Sequence, residues 1–261
     1  MTMTAEQIER AARIFDEARK GNYMIDEVPA ELGLDNLDDA ARVAERVVEL
    51  SGERVVGFLV GATNPEMQKT LHTDEPYYAC ILESNLCPSP ADLAPRNLLT
   101  IGLESEVAFT MGADLPAREK PYSEGEVADA IKSIHASVEA VNGHVRDWLN
   151  KPIAWVMADN GTDGPLVLGP AVEDWRGIDR PNIPVTLTVN GKVECEGRGG
   201  NALGDPLAVM VWIANKRSRE GKGMTAGQVV NTGTTAGIHF ASPGGKAVAD
   251  FGPLGQAVLS F

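Results

Sequence analysis

Glu104 and Glu106 stand one residue apart inside the run LLTIGLESEVAFTMGADLP, residues 98–116. The surrounding Ile101, Leu103, Val107 and Phe109 supply the branched and aromatic bulk of a β-strand. Strand side chains alternate between faces, so Glu104 and Glu106 project the same way, with Ala108 behind them. Like charges held side by side raise each other's pKa unless a cation lies between them. Two uses fit this pattern. One is an antiparallel strand with a wet face; the other is a pair of oxygen ligands for a hard dication.

Oxygen-only ligation that leaves open positions suits Mg²⁺ or Mn²⁺ rather than zinc. A third carboxylate would have to come from elsewhere. Glu139, in SIHASVEAVNGH, is a candidate because its neighbours Val138, Ala140 and Val141 are apolar. Spacing alone does not select it among the other acids of the chain.

Other chemistries lack their signatures. The glycine cluster EGRGGNALG has the wrong spacing for a dinucleotide fingerprint and reads as a tight loop before a helix. Neither a P-loop nor a G-x-S-x-G elbow occurs. His72, His135, His144 and His239 lack zinc-protease spacing and read as surface or structural residues. Cys80, Cys87 and Cys195 have no metal-ligand spacing and read as reduced thiols of a cytoplasmic protein. The 23 basic and 37 acidic residues leave a net charge of −14, which repels phosphate backbones and anionic lipid. Nucleic acid and membrane are therefore not expected partners, while a small anionic substrate is compatible if a metal offsets the charge. MTMTAEQIER is too polar and acidic for a signal peptide. No apolar run reaches the roughly 18 residues of a membrane span.

The elements that must position these groups fall into two textures. Thr4 and Gln7 form a capping box, and Ile8, Ala11, Ala12, Phe15 and Ala18 share one helical face, with Gly21 as the stop. A second helix starts near Asn36, turns Ala40, Val43, Val47 and Leu50 inward and ends at Gly52. Residues 1–53 are thus a helical N-terminal segment, and 54–261 a strand-rich body. In that body RVVGFLVGAT, LLTIGLESEVAF, KPIAWVMAD and IPVTLTVNGKVEC read as strands, with Asn190-Gly191 as a hairpin turn. Ser123 and Glu126 cap a helix expected to carry Val127, Ile131 and Ile134 on its inner face. DPLAVMVWIANKRSREG reads as a helix with Pro206 in its first turn, and VADFGPLGQAVLSF as two strands around a Gly-Pro turn. Strands outnumber helices without regular alternation, so the fold class is α+β.

GLESEVAFTMGADLP, HASVEAVNGH, MADNGTDGPLVLGP with EDW, GNALGDPLAVMVWIAN, AGQVVNTGT and ADFGPLG follow one another in a recognisable order. They resemble the 2-keto-4-pentenoate hydratase and 4-oxalocrotonate decarboxylase branch of the fumarylacetoacetate hydrolase superfamily, over nearly the whole chain. The resemblance implies a mixed β-roll behind the helical segment. It also implies a divalent metal held by Glu104, Glu106 and Glu139. In such enzymes a 2-oxo acid chelates the metal, and charge that builds on its keto oxygen during enolisation is stabilised by the cation. Adding water to the conjugated system gives hydration; losing a vinylogous carboxylate gives decarboxylation. The resemblance further implies substrate contacts from Gly61, Asp159 and Asn160, and from Thr232, Gly233 and Thr234 of NTGT.

Two positions depart from the family pattern. GFLVG carries Leu59 where a lysine is usual, and DEPYYA carries Tyr77 where an acid is usual. An isobutyl group transfers no proton and carries no charge. Asn142 and His144 likewise replace a more usual acid and arginine. Three readings follow: a hydratase in which Tyr77, His72 or a metal-bound water handles the proton; the same platform serving decarboxylation, tautomerisation or C–C hydrolysis of a bulkier substrate; or a non-catalytic partner subunit. The first is taken as the leading expectation. A cytoplasmic homo-oligomer is expected, with a complex with a related family member as a further option.

Overall fold

The computed structural model describes residues 2–261. Its first helix, Ala5–Gly21, starts at the Thr4–Gln7 capping box. It buries Ile8, Ala11, Ala12, Phe15 and Ala18. The left-handed stop falls one residue beyond the expected Gly21, on Asn22 (φ 50°), whose short polar side chain tolerates that region. The second helix, Leu37–Ser51, is capped by Asn36 and ends at Gly52 (φ 69°). The two helices pack on one another and share an apolar cluster with Leu59, Tyr77, Ala79 and Trp148 of the body.

The body holds two sheets, one of eight strands and one of five. At the centre of the larger, Gly102–Met111 runs antiparallel to Ile131–Val141 over a long register in which Glu104 faces Glu139 and Glu106 faces Ser137. Val229–Asn231 flanks the first of these strands and pairs parallel with Val55–Gly61, which pairs antiparallel with Tyr77–Leu82. Leu103, Val107 and Phe109 enter the core between the sheets together with Ile134, Ala136 and Val138. Ala108 enters the cluster beneath the helices. The central sheet therefore has two buried faces, and the carboxylates lie on the helix-covered one.

The smaller sheet contains the Pro184–Val189 and Lys192–Arg198 hairpin, whose turn residues Asn190 (φ 51°) and Gly191 (φ 81°) are both left-handed. Lys246–Asp250 and Gln256–Ser260 pair beside it, around Gly252–Leu254 as expected. Pro206–Arg219 is a helix capped by Asp205, and a short turn at Gly199–Asn201 precedes it. The mixed architecture with a helical N-terminal segment matches the α+β expectation.

Two element assignments change. The helix opened by Ser123 and Glu126 ends at Asp129, and Ile131 and Ile134 belong to the following strand. Pairing along the length of Gly102–Met111 outweighs helix continuation in this β-branched run. KPIAWVMAD forms not a strand but the helix Ile153–Ala158, packed against the second helix and the Tyr77–Leu82 strand. An apolar run buried on most sides carries no period by which strand and helix can be told apart. No helix among the described residues is long and apolar enough to cross a membrane.

Candidate metal centre and substrate pocket

Carboxylate oxygens of Glu104, Glu106 and Glu139 lie within 4.8 Å of one another. The geometry follows from register: Glu104 and Glu139 are direct cross-strand partners, and Glu106 lies two residues along the same face. Glu106 and Glu139 are buried and Glu104 half-buried. Burial and mutual repulsion push the carboxyls of Glu106 and Glu139 well above their ordinary range. Loss of water raises that of Glu104 to about 7.

The supports around these groups are neutral. The backbone N–H of Gly233 donates to Glu106 Oε2 at 2.6 Å. Gly164 N–H and Asn231 Nδ2 donate to the two oxygens of Glu139, each at 3.4 Å. Asn231 is itself oriented by the Ser137 hydroxyl, which donates to Asn231 Oδ1 at 2.8 Å and to Glu106 O at 2.9 Å. Among the described residues, no lysine, arginine or histidine lines the pocket that contains the carboxylates. A cluster of buried acids without a cation, each still holding free oxygen lone pairs, fits a hard dication in both charge and donor type.

Leu59, Gly61 and Tyr77 also line this pocket, together with Thr234 and Gly233. A Cβ at Gly61 would meet Tyr77 Cζ at 2.3 Å, so the glycine makes room for the ring. Burial, and after it the charge of the three glutamates, holds the Tyr77 hydroxyl protonated far above neutral pH.

Four of the expected residues do not reach the pocket. His72 is exposed and lies outside the lining. Asp159 Oδ1 accepts from Arg19 Nη1 at 3.2 Å and Oδ2 from His144 N at 2.6 Å, and the residue is not part of the pocket lining. Asn160 is tied to the backbone of Cys80 through its amide nitrogen and oxygen, at 2.8 and 3.0 Å. Thr232 donates its hydroxyl to Val107 O at 2.7 Å, fastening NTGT to the central strand instead of facing a ligand. Thr234 reaches the pocket, but its hydroxyl donates to Gly237 O at 2.8 Å. Asn142, flagged beside Glu139, accepts from Leu99 N at 2.7 Å and so braces the chain entering the strand.

Sequence reasoning missed Asn231, Thr63, Trp148, Met67 and Leu71. Asn231 opens the NTGT motif and could have been found there. Thr63 stands two residues after Gly61, the end of the first strand, and its buried hydroxyl has no partner among the described residues. Trp148, Met67 and Leu71 arrive from turns and a short helix that carry no chemical signature.

Comparison with known proteins adds kinship to this geometry. Residues 61–258 match the family described as fumarylacetoacetate (FAA) hydrolase, C-terminal. The 2-keto-4-pentenoate hydratase of Paraburkholderia xenovorans (strain LB400) is 30% identical over 247 residues, 93% of this chain and 90% of the relative. The 2-hydroxyhexa-2,4-dienoate hydratase of Comamonas testosteroni is 28% identical over 218 residues, 83% of this chain and 81% of the relative. Among solved structures, 4-oxalocrotonate decarboxylase from Pseudomonas putida G7, complexed with magnesium and adipate, superposes with a TM-score of 0.90 at 22% identity, covering 100% of this chain and 99% of that one. At that identity the likeness concerns the fold alone.

Proposed function

Because the chain belongs to the fumarylacetoacetate hydrolase family, we propose that it is a divalent-metal-dependent hydro-lyase of the 2-keto-4-pentenoate hydratase type. It would add water to the conjugated system of a 2-hydroxydienoate or 2-oxo-enoate acid. The observation that carries this reading is the convergence of Glu104, Glu106 and Glu139 in a cation-free pocket of a chain akin to hydratases over nearly its full length.

Glu104, Glu106 and Glu139 would hold Mg²⁺ or Mn²⁺, with Asn231, Gly233 and Gly164 fixing the carboxylates. The ion when bound would act as a Lewis acid, stabilising the negative charge that develops on the keto oxygen as the substrate enolises. Every other contribution comes from the chain. Tyr77, held protonated chiefly by burial, lines the pocket beside the glutamates as a hydrogen-bond donor and is the leading candidate for proton handling. Leu59, Leu71 and Trp148 line the pocket with apolar surface against which the conjugated chain would pack. His72, exposed and remote from the lining, is left out of this mechanism.

The test is loss of the ultraviolet absorbance of 2-hydroxypenta-2,4-dienoate, with Mg²⁺ and Mn²⁺ supplied in turn. Metal-dependent consumption that disappears in Glu106→Gln supports the proposal. Release of CO₂ from a 2-oxo-3-enedioate without consumption of the dienoate would replace it with decarboxylation. A cytoplasmic setting belongs to the same reading, supported by three free thiols at Cys80, Cys87 and Cys195. So does assembly as a homo-oligomer or with a related family member, supported by exposed Val193 and Phe240 on neighbouring strands, and read by light scattering.

A further inference from the structure

Among the described residues, Thr63, Tyr77, Thr162 and Thr234 are the hydroxyl-bearing side chains that line the pocket beside the carboxylates. Two of these hydroxyls are spent inside the chain: Thr162 donates to Gly161 O at 2.6 Å and Thr234 to Gly237 O at 2.8 Å. The Gly233 N–H is taken by Glu106, and the Thr232 hydroxyl by Val107 O. The donors of NTGT, the motif expected to hold a ligand's carboxylate, are therefore occupied.

Thr63 differs. It is 1% exposed, and its Oγ1 has no hydrogen-bond partner among the described residues. A buried hydroxyl left unpaired costs free energy and is uncommon, so its placement calls for a cause. The local chain holds it there. Ala62 takes a left-handed φ of 55°, unfavourable for a residue with a Cβ, and its carbonyl accepts from Gln68 Nε2 at 3.0 Å. Leu203 N donates to Thr63 O at 2.9 Å, and Asn64 caps the short helix Pro65–Thr70. This turn sets the threonine against Gly233, where an added Cβ would stand 2.0 Å from Thr63 Oγ1. Gly233 is the residue whose N–H fixes Glu106, so the unpaired hydroxyl borders the carboxylate cluster.

A 2-oxo acid that chelates a dication uses one carboxylate oxygen and its keto oxygen. Its other carboxylate oxygen leaves water as well and needs a donor. No cation lines the pocket to supply one, among the described residues. We propose that Thr63 is a substrate-binding residue whose hydroxyl donates to the carboxylate of the 2-oxo acid. The inference rests on the reading that the 2-oxo end binds at the three glutamates, and it names the group of the chain that completes that site.

The experiment compares Thr63→Val, which replaces the hydroxyl by a methyl, with Thr63→Ser, which keeps it. In the metal-free protein Thr63→Val is expected to melt at or above the temperature of the unmodified chain, because an unpaired buried hydroxyl is removed and no bond is lost. Calorimetry with Mn²⁺ alone should show the same metal affinity in both variants. With 2-oxopentanoate added to the full-length, Mn²⁺-loaded protein, Thr63→Val should bind roughly 10- to 100-fold more weakly, the effect of one hydrogen bond to a charged group. Thr63→Ser should stay within about threefold of the unmodified protein. A threonine that serves only packing would give the opposite pattern, a lower melting temperature with ligand affinity intact. Unchanged 2-oxopentanoate binding by Thr63→Val, or equal weakening by Thr63→Ser, would overturn the inference while leaving chelation at the glutamates standing. Failure of the unmodified protein to bind 2-oxopentanoate in the presence of Mn²⁺ would overturn that chelation reading, and the inference with it.

Discussion

Glu104, Glu106 and Glu139 bring three carboxyls into a space where no cation among the described residues answers them. That arrangement costs stability in the metal-free protein, and the cost depends on pH. A carboxyl whose pKa is raised on folding binds more protons in the folded state than in the unfolded one. Its contribution to stability is full below the ordinary value of 4.5 and is lost as pH rises through the folded value, about 7 for Glu104. The chelator-treated protein is therefore expected to gain thermal stability between pH 7 and pH 5 from these groups, and Glu104→Gln should flatten that part of the profile. A profile unchanged by the substitution would mean that water or a counter-charge already relieves the site. Asn231 acts on the same centre at one remove. Asn231→Ala should weaken Mn²⁺ binding by roughly 10- to 100-fold in calorimetry, as removal of a ligand's orienting partner does elsewhere.

At the scale of elements, the site depends on a contact far from it in sequence. Arg19, on the first helix, pairs with Asp159 at 3.2 Å and Asp163 at 2.5 Å, and all three side chains are largely buried. The next residue, Gly164, donates to Glu139, so the N-terminal helix anchors the loop that braces a ligand. Arg19→Ala leaves two buried carboxylates without their cation and is expected to cost about 3–5 kcal/mol in urea unfolding. A loss below about 1 kcal/mol would mean that the pair is solvated in solution. The same loop marks where sequence reading stops. The Glu104–Glu106 face, both N-terminal helices, the Asn190-Gly191 turn and the closing strands are local patterns, legible because side-chain period and turn chemistry act within a few residues. Asp159 and Asn160 were expected at the site because the resemblance implied it. Their actual partners, Arg19 and Cys80, lie 140 and 80 positions away, and nothing local announces such a pairing. Glu139 is the complementary case: spacing could not choose it, resemblance could, and a ten-residue strand register carries it opposite Glu104.

For the molecule as a whole, the metal is expected to be part of the stability as well as the chemistry. A dication that binds only the folded state at a hundred times its dissociation constant adds about 2.7 kcal/mol. For a chain of 261 residues that corresponds to a rise in melting temperature of roughly 5–10 °C, reversed by chelator. Glu106→Gln should abolish most of the rise. The net charge of −14 includes the three pocket glutamates, and the remaining acidic excess lies outside the pocket, so it repels anionic substrates at long range while a dication bound at the centre would attract them at short range. The most direct measurement is anomalous scattering from crystals soaked in Mn²⁺. One strong peak is expected, roughly 2.0–2.6 Å from an oxygen of each of Glu104, Glu106 and Glu139. Soaked crystals without a peak between those three side chains, or with Mn²⁺ held only by surface acids, would contradict the account.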